Sequence, residues 1–300
     1  MTTTADPVPN IVTRFAPSPS GHLHLGHAYA ALFAWRLADR PEGRFILRIE
    51  DIDGGRNNAE FEDAIYEDLA WLGVSWAEPV MRQSERGAAY QGALDRLTEM
   101  ELLYPCFCTR KDILDEINSS AGAPHSHSDF GPIYPGICRD IADTERASRF
   151  GDGTPFALRL DVTKALKIAG DLTWHDRTRG EQQVQADQFG DVVLARKDIA
   201  TSYHLAVTVD DAAQGITLVT RGNDLFESTH VHRLLQALLG LATPEWHHTP
   251  MLTDPDGNRL AKRDNAQTLR ELRADGVPSE SIWTHAIQSL ARQATAVEGI

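Results

Sequence analysis

The chain predicts an α/β fold built on a parallel sheet with helices on both faces. Three observations carry that expectation. Strand-like and helix-like segments alternate from residue 11 onward. The first strand runs into a Pro/Gly loop that opens a helix. No internal repeat or coiled-coil heptad competes with that pattern.

The elements follow in order. Residues 1–10 lack the basic and apolar regions of a signal peptide and are expected to be a disordered lead-in. Ile11 to Ala16 reads as a buried strand, followed by Pro17-Ser18-Pro19-Ser20-Gly21. His27 to Arg40 places Ala30, Leu32, Phe33, Trp35 and Leu37 at helical spacing. Arg44 to Glu50 is a second strand ending in Asp51-Ile52-Asp53, and Asn57 to Leu72 an amphipathic helix closed by Gly73. Ligands bind at the carboxyl ends of strands in such sheets. The Ser18–His27 loop and the Glu50–Asp53 turn are therefore expected there.

Residues from about 104 to 155 break the rhythm, with all three cysteines and a Gly/Pro/Ser/His-rich stretch from Ser119 to Pro135. They read as an insertion. Residues 156–183 show β-like runs, Asp191 to Asp210 reads as two strands, and Asn223 to Leu239 as a helix. The last fifty residues read as mostly helical, with a capping box at Thr268–Glu271 and another start at Ser279.

Composition sets outer bounds. Three hundred residues with 42% hydrophobic content supply a sizeable core. The net charge of −14, from 29 basic and 43 acidic residues, argues against indiscriminate nucleic-acid binding but leaves room for one RNA partner at a local basic patch. No stretch approaches the roughly 18 apolar residues of a membrane span, so a cytoplasmic location without membrane contact is expected.

Three groups of residues carry chemistry. In His24-Leu25-Gly26-His27, glycine lets backbone N–H groups approach phosphate at a helix N-terminus. The two histidines there can hydrogen-bond a nucleotide and the charge developing on its α-phosphate. Near the other end, Arg259-Leu260-Ala261-Lys262-Arg263 follows a hairpin-like Asp254–Asn258 turn, and Lys262 is placed to supply a cation for pyrophosphate. Cys106-Phe107-Cys108 with Cys138 suits one tetrahedral metal, the fourth ligand being Tyr134, His125 or His127. The plainer alternative makes the cysteines small buried hydrophobes.

The string Arg14-Phe-Ala-Pro-Ser-Pro-Ser-Gly-His-Leu-His-Leu-Gly-His27, together with Arg259–Arg263, resembles the class I aminoacyl-tRNA synthetases. These are their HIGH-type motif and a degenerate KMSKS-type motif. A lone His-x-Gly-His is weak, whereas the extended string is highly specific. Within the class the chain is similar to the glutamyl branch, and most to its short glutamyl-Q tRNA(Asp) synthetases, over residues 10 to 290. The resemblance implies a Rossmann-like catalytic domain over 11–240, with the insertion at 104–155 carrying zinc. A KMSKS-type loop and helical stem-contact-like region would fill 241–300. It implies no anticodon-binding domain, because full-length glutamyl synthetases continue for a comparable length.

The resemblance also implies site residues. Arg14, Ala16, Ser18, Glu50, Tyr203 and Arg221 would bind L-glutamate. Arginines suit its carboxylates and Glu50 its ammonium. A neutral glutamine would need less positive charge. His24, Gly26, His27 and Lys262 would bind ATP, with Mg2+ accompanying it, and His24, His27 and Lys262 would act in catalysis. The zinc pattern Cys-x-Cys…Tyr-x-x-x-Cys favours Tyr134 beside Cys106, Cys108 and Cys138, for one structural Zn2+ per chain. The KMSKS-type motif departs from the family pattern at Arg259, Ala261 and Arg263, while Lys262 is kept. The implied activity is ATP-dependent formation of glutamyl-adenylate and its transfer to queuosine in tRNA(Asp), by a monomer. The rivals are a truncated glutamyl-tRNA synthetase charging tRNA(Glu), a non-catalytic adenylate- or tRNA-binding module, and a nucleotidyltransferase using another acid.

Overall fold

The computed structural model describes residues 10–55, 57–119, 127–128, 131–250, 267–284 and 286. The first half holds β1 (Val12–Phe15), α1 (Leu25–Ala38), β2 (Arg44–Ile49), α2 (Ala59–Trp71), β3 (Ala77–Arg82), α3 (Gly87–Glu99), β4 (Leu103–Cys106), α4 (Arg110–Ser119), β5 (His127–Ser128), β6 (Gly131–Pro132) and α5 (Asp143–Gly151). The second holds β7 (Ala157–Leu160), α6 (Val162–Ala169), β8 (Thr173–Asp176), β9 (Gly180–Gln183), β10 (Val193–Ala195), α7 (Tyr203–Ala213), β11 (Leu218–Gly222), α8 (Ser228–Leu239), β12 (Glu245–Thr249) and α9 (Leu269–Ala274).

The predicted parallel sheet is present. β2 pairs in parallel with β1 and β3, and β12 in parallel with β11 and β8. The two sets meet where the Thr217 N–H donates to the Val12 carbonyl at 3.0 Å and the Val12 N–H to Thr217 Oγ1 at 2.9 Å. From β1 the chain therefore builds outward in two directions, β2 then β3 on one side and β11 then β12 on the other. That reversal is a topological switch point, where such sheets open a ligand crevice.

Strand alternation decides what each face carries. Phe15, Phe45, Leu47 and Ile49 pack into one buried cluster with Ala28, Leu32, Ile65 and Leu69 of α1 and α2. Val12 and Ile46 turn the other way, onto Trp174, Val219 and Trp246. Arg14 and Arg48 share this second face by the same period of two. A separate antiparallel sheet, β10-β7-β4, carries the cysteine segment.

Several elements differ from expectation. Asp191–Asp210 yields one strand, β10, and then the helix α7, whose N-cap Ser202 accepts from the Leu205 N–H. The run Val207-Thr208-Val209 reads as a strand because Leu205, Ala206 and Val207 are all buried in a helix with little amphipathic contrast. Between the β-like runs of 156–183 lies α6, capped by the Asp161 side chain. β12 belongs to the main sheet and buries Trp246, so that sheet continues past residue 240. The Thr268–Glu271 capping box is present on α9, and residues 279–284 are helical. Residues 1–9, His125, the Asp254–Asn258 turn and the Arg259–Arg263 segment with Lys262 lie outside the described residues. No helix among the described residues is long and apolar enough to cross a membrane.

Candidate active site

The loop after β1 leads into the N-terminus of α1 beside the end of β2. The Glu50 N–H donates to the Pro17 carbonyl at 3.0 Å, tying loop to strand end. Ala16 is half-buried and Ser18 exposed on that loop. His24 caps α1: its Nδ1 accepts from the Gly26 N–H at 3.1 Å, and His27 Nδ1 accepts from the His24 N–H at 3.3 Å. A ring nitrogen that accepts carries no proton, so both rings present Nε2 as the N–H donor. Gly26 has a steric reason. A Cβ there would sit 3.0 Å from His24 Cε1 and 3.2 Å from its Nδ1, so a side chain would push the capping ring away.

The switch point holds buried charge. Arg14 Nε donates to Asp211 Oδ1 at 3.0 Å and its Nη1 to the Thr220 carbonyl at 3.0 Å. Arg48, fully buried, donates to the same Asp211 oxygen at 2.8 Å, to Gln214 at 2.9 Å and to Glu50 Oε1 at 3.2 Å. Two guanidinium groups thus face two carboxylates, and Arg14 is already neutralised within the fold. Burial lifts the Glu50 carboxyl above its usual range, against the downward pull of Arg48 and Arg14. Asp211 is held below the usual carboxylate range: burial acts upward, and the two arginines outweigh it.

Arg221 differs. Its Nε donates to His248 Nε2 at 3.1 Å, its Nη1 to Tyr203 Oη at 3.4 Å and His232 Nδ1 at 3.1 Å, and its Nη2 to Thr229 Oγ1 at 2.6 Å. These partners are all uncharged. Arg221 is 8% exposed, and burial pulls its guanidinium below its ordinary range. A buried cation in that state is costly until an anion reaches it.

The cysteines converge as well. Cys108 and Cys138 Sγ lie 3.4 Å apart, and Tyr134 Oη lies 3.4 Å from Cys106 Sγ and 3.7 Å from Cys108 Sγ. The three thiols all fall within 4.8 Å of one another and none forms a disulfide. A tetrahedral zinc with bonds near 2.3 Å sets its sulfurs about 3.8 Å apart, so the set fits one such ion. Burial pushes the Tyr134 phenol far above its usual range, although the Cys138 N–H donates to its oxygen at 2.8 Å. Burial also lifts the Cys108 thiol to about 12. Gly190, at φ +60°, lets Tyr134 approach: a Cβ would meet Ile133 Cγ2 at 2.8 Å and the Tyr134 carbonyl at 3.2 Å.

A family model described as tRNA synthetases class I (E and Q), catalytic domain, matches residues 10–298. The chain belongs to that family. It is therefore a ligase of the class I aminoacyl-tRNA synthetase type. It is 47% identical to the glutamyl-Q tRNA(Asp) synthetase of Rhodobacter capsulatus, covering 91% of this chain and 98% of that one. It is 36% identical to the glutamate–tRNA ligase of Aquifex aeolicus, covering 92% of this chain and 56% of that one. Among solved structures, a glutamate tRNA ligase from Elizabethkingia meningosepticum in complex with its amino acid matches with a TM-score of 0.69 at 30% identity, covering 85% of this chain and 52% of that one. The chain spans about half the length of that structure.

Arg14, Glu50, Tyr203 and Arg221 come together at the switch point, and Cys106, Cys108, Tyr134 and Cys138 at the knuckle. His24, Gly26 and His27 form the first turn of α1. Sequence reasoning missed Arg48, Asp211, Thr229, His204, His232, His248 and Asp176. The available signal was polar: Arg48 in the middle of an apolar strand, and histidines within the apolar run of α8.

Proposed function

We propose that the chain activates L-glutamate with ATP and transfers it to queuosine in tRNA(Asp). The observation that carries the glutamate part is Arg221, a buried guanidinium whose hydrogen-bond partners among the described residues are all uncharged, and whose partner Tyr203 also interacts with Glu50 and Arg14. A substrate side-chain carboxylate would complete it, while Glu50 meets the α-ammonium. Arg14, neutralised by Asp211, shapes the pocket and keeps that carboxylate in place. Ala16 and Ser18 would line the pocket from the loop.

The α-carboxylate oxygen attacks the α-phosphorus of ATP in line, and the bond to the pyrophosphate oxygen breaks. An acceptor hydroxyl then attacks the adenylate carbonyl and AMP leaves. The α1 N-terminus and the Nε2–H edges of His24 and His27 supply donors for the phosphates, with Gly26 admitting the close turn. Magnesium accompanies ATP as part of the substrate. Thr268 bridges His24 in an antiparallel pair, and Lys262 precedes it by six residues, within about 20 Å of extended chain. That reach supports Lys262 as the pyrophosphate cation. Catalysis is positioning and electrostatics, without a protein nucleophile.

Cys106, Cys108, Tyr134 and Cys138 would hold zinc, which would brace the segment after β4. The near full-length match to a glutamyl-Q tRNA(Asp) synthetase supports queuosine as acceptor, and a monomeric cytoplasmic enzyme goes with that reading. Transfer of labelled glutamate to tRNA(Asp) with queuosine, tRNA(Asp) without it, and tRNA(Glu) tests it. Label on the first alone is expected. Label on tRNA(Glu) would make the chain a glutamate–tRNA ligase, and label on none would overturn the transfer step.

A further inference from the structure

Hydrogen bonding around Arg221 fixes where the imidazole protons sit. Arginine only donates, so His232 Nδ1 must accept and His232 carries its proton on Nε2. That Nε2 lies 3.1 Å from His204 Nδ1, which must then accept, making His204 neutral with its proton on Nε2. On the other side His248 Nδ1 lies 2.7 Å from Asp176 Oδ2, which draws the proton there. His248 Nε2 is left to accept from Arg221 and from Thr229 Oγ1, at 3.1 and 3.3 Å. Three histidines from α7, α8 and β12 are thus all neutral around one cation, and among the described residues the carboxylate hydrogen-bonded into this chain, Asp176, is kept a full imidazole away, while Asp211 bonds to Arg14 and Arg48.

We propose that His232, with His204 behind it and the Asp176–His248 pair opposite, is an uncharged cradle that aims Arg221 while leaving its charge for a substrate carboxylate, and so sets the preference for an acid over its amide. These are positioning residues. The proposal rests on the glutamate reading above. A carboxylate in the place of His232 would accept the same hydrogen bond but neutralise the guanidinium, and a substrate carboxylate would then meet repulsion.

The groups facing His232 are compatible with its neutrality. They are His204 and Asp211 from α7, Arg221 from β11, His248 from β12, Tyr203 at the start of α7 and Arg14 from β1. Burial comes first and Arg221 next among the causes that hold His232 well below the ordinary imidazole range. His204 is brought down to about 4 by the same two causes.

Glutamate-dependent ATP–pyrophosphate exchange at pH 7.5 tests the proposal in the parent, His232→Gln and His232→Glu. Glutamine at 232 keeps one acceptor for Arg221 and one donor for His204, and is expected to stay within about threefold of the parent in glutamate KM. His232→Glu should raise that KM about 100-fold, leave the ATP KM unchanged and narrow the preference for glutamate over glutamine, as a new buried carboxylate beside the cation would. Equal glutamate KM in the two variants, or a parallel rise in ATP KM, would overturn the cradle while leaving glutamate activation intact. A parent that exchanges only with another amino acid would overturn both. Nitrogen-15 NMR of the parent's imidazoles needs no variant to fold. Neutral rings with proton-free His232 Nδ1 and His248 Nε2 at pH 6 are expected, and imidazolium signals would contradict the proposal.

Discussion

The crevice around Arg221 and the cysteine knuckle are organised by different means. In the crevice every charged group has its geometry set by protein: Arg14 and Arg48 share Asp211, and Arg221 is held by Tyr203, Thr229, His232 and His248. Those partners stand on β1, β2, β11, β12, α7 and α8, elements with large buried clusters beneath them. The knuckle has a small cluster of Tyr104, Cys106, Phe107, Tyr134 and Cys138, and four donor atoms that face one another. The crevice is held by hydrogen bonds within the fold itself. The knuckle would gain its rigidity from an ion joining its donors. The difference shows why activity and stability should respond separately to changes in the two places.

The largest effect should come from Arg221→Ala. Removing one partner of a buried charge pair costs about 4 kcal/mol, roughly a thousandfold in kcat/KM for glutamate. Exchange assays read it, and a parental thermal midpoint would confirm that the crevice scaffold survives. Next comes Cys138→Ser, which should abolish bound zinc by metal analysis and lower stability by several kcal/mol, as loss of a structural ion does. Glutamate KM in the surviving folded fraction should stay parental. If glutamate KM rose together with zinc loss, the two regions would not be independent.

Acid should strike the crevice first. His248 has a folded pKa near 4, brought down by burial against the upward pull of Asp176, where an unfolded histidine has 6.5. Above pH 6.5 both states are neutral. Between 6.5 and 4 only the unfolded chain takes the proton, so stability falls as pH falls, by about 3 kcal/mol across that window. Asp176, held below the usual carboxylate range by His248 and Thr178 despite its burial, adds its loss only at lower pH. Chemical denaturation at pH 7, 5.5 and 4.5 measures the slope, and a flat profile above pH 4.5 would show that the histidines are solvated. The smallest effect is expected from Gly26→Ala, where the added Cβ displaces the His24 ring. About 1 to 2 kcal/mol of transition-state stabilisation, tenfold or so in exchange rate, should be lost with glutamate KM unchanged.

What could be read from the sequence divides along the same line. The doubly wound alternation, the helix opening at His24–His27 and the cysteine spacing are local patterns: the structure carries the alternation and the helix start, and brings the three cysteines together. Tyr203 was legible as a motif residue even though its helix, buried on several sides, reads as strand. The cradle was not legible. Arg221 meets His248 across 27 residues, and His248 meets Asp176 across 72, and no spacing rule links them. Arg48 was hidden for a related reason: a charge in an apolar strand is explained only once α7 brings Asp211 over it.

ATP–pyrophosphate exchange with glutamate, glutamine and aspartate offered separately to the parent protein, without tRNA, reads out whether Arg221 selects the acid. Exchange with glutamate is expected at least about a hundredfold above glutamine, because the acid and not its amide supplies a counter-ion for Arg221. Equal exchange with glutamine would contradict it, and would mean that Arg221 is already satisfied within the fold.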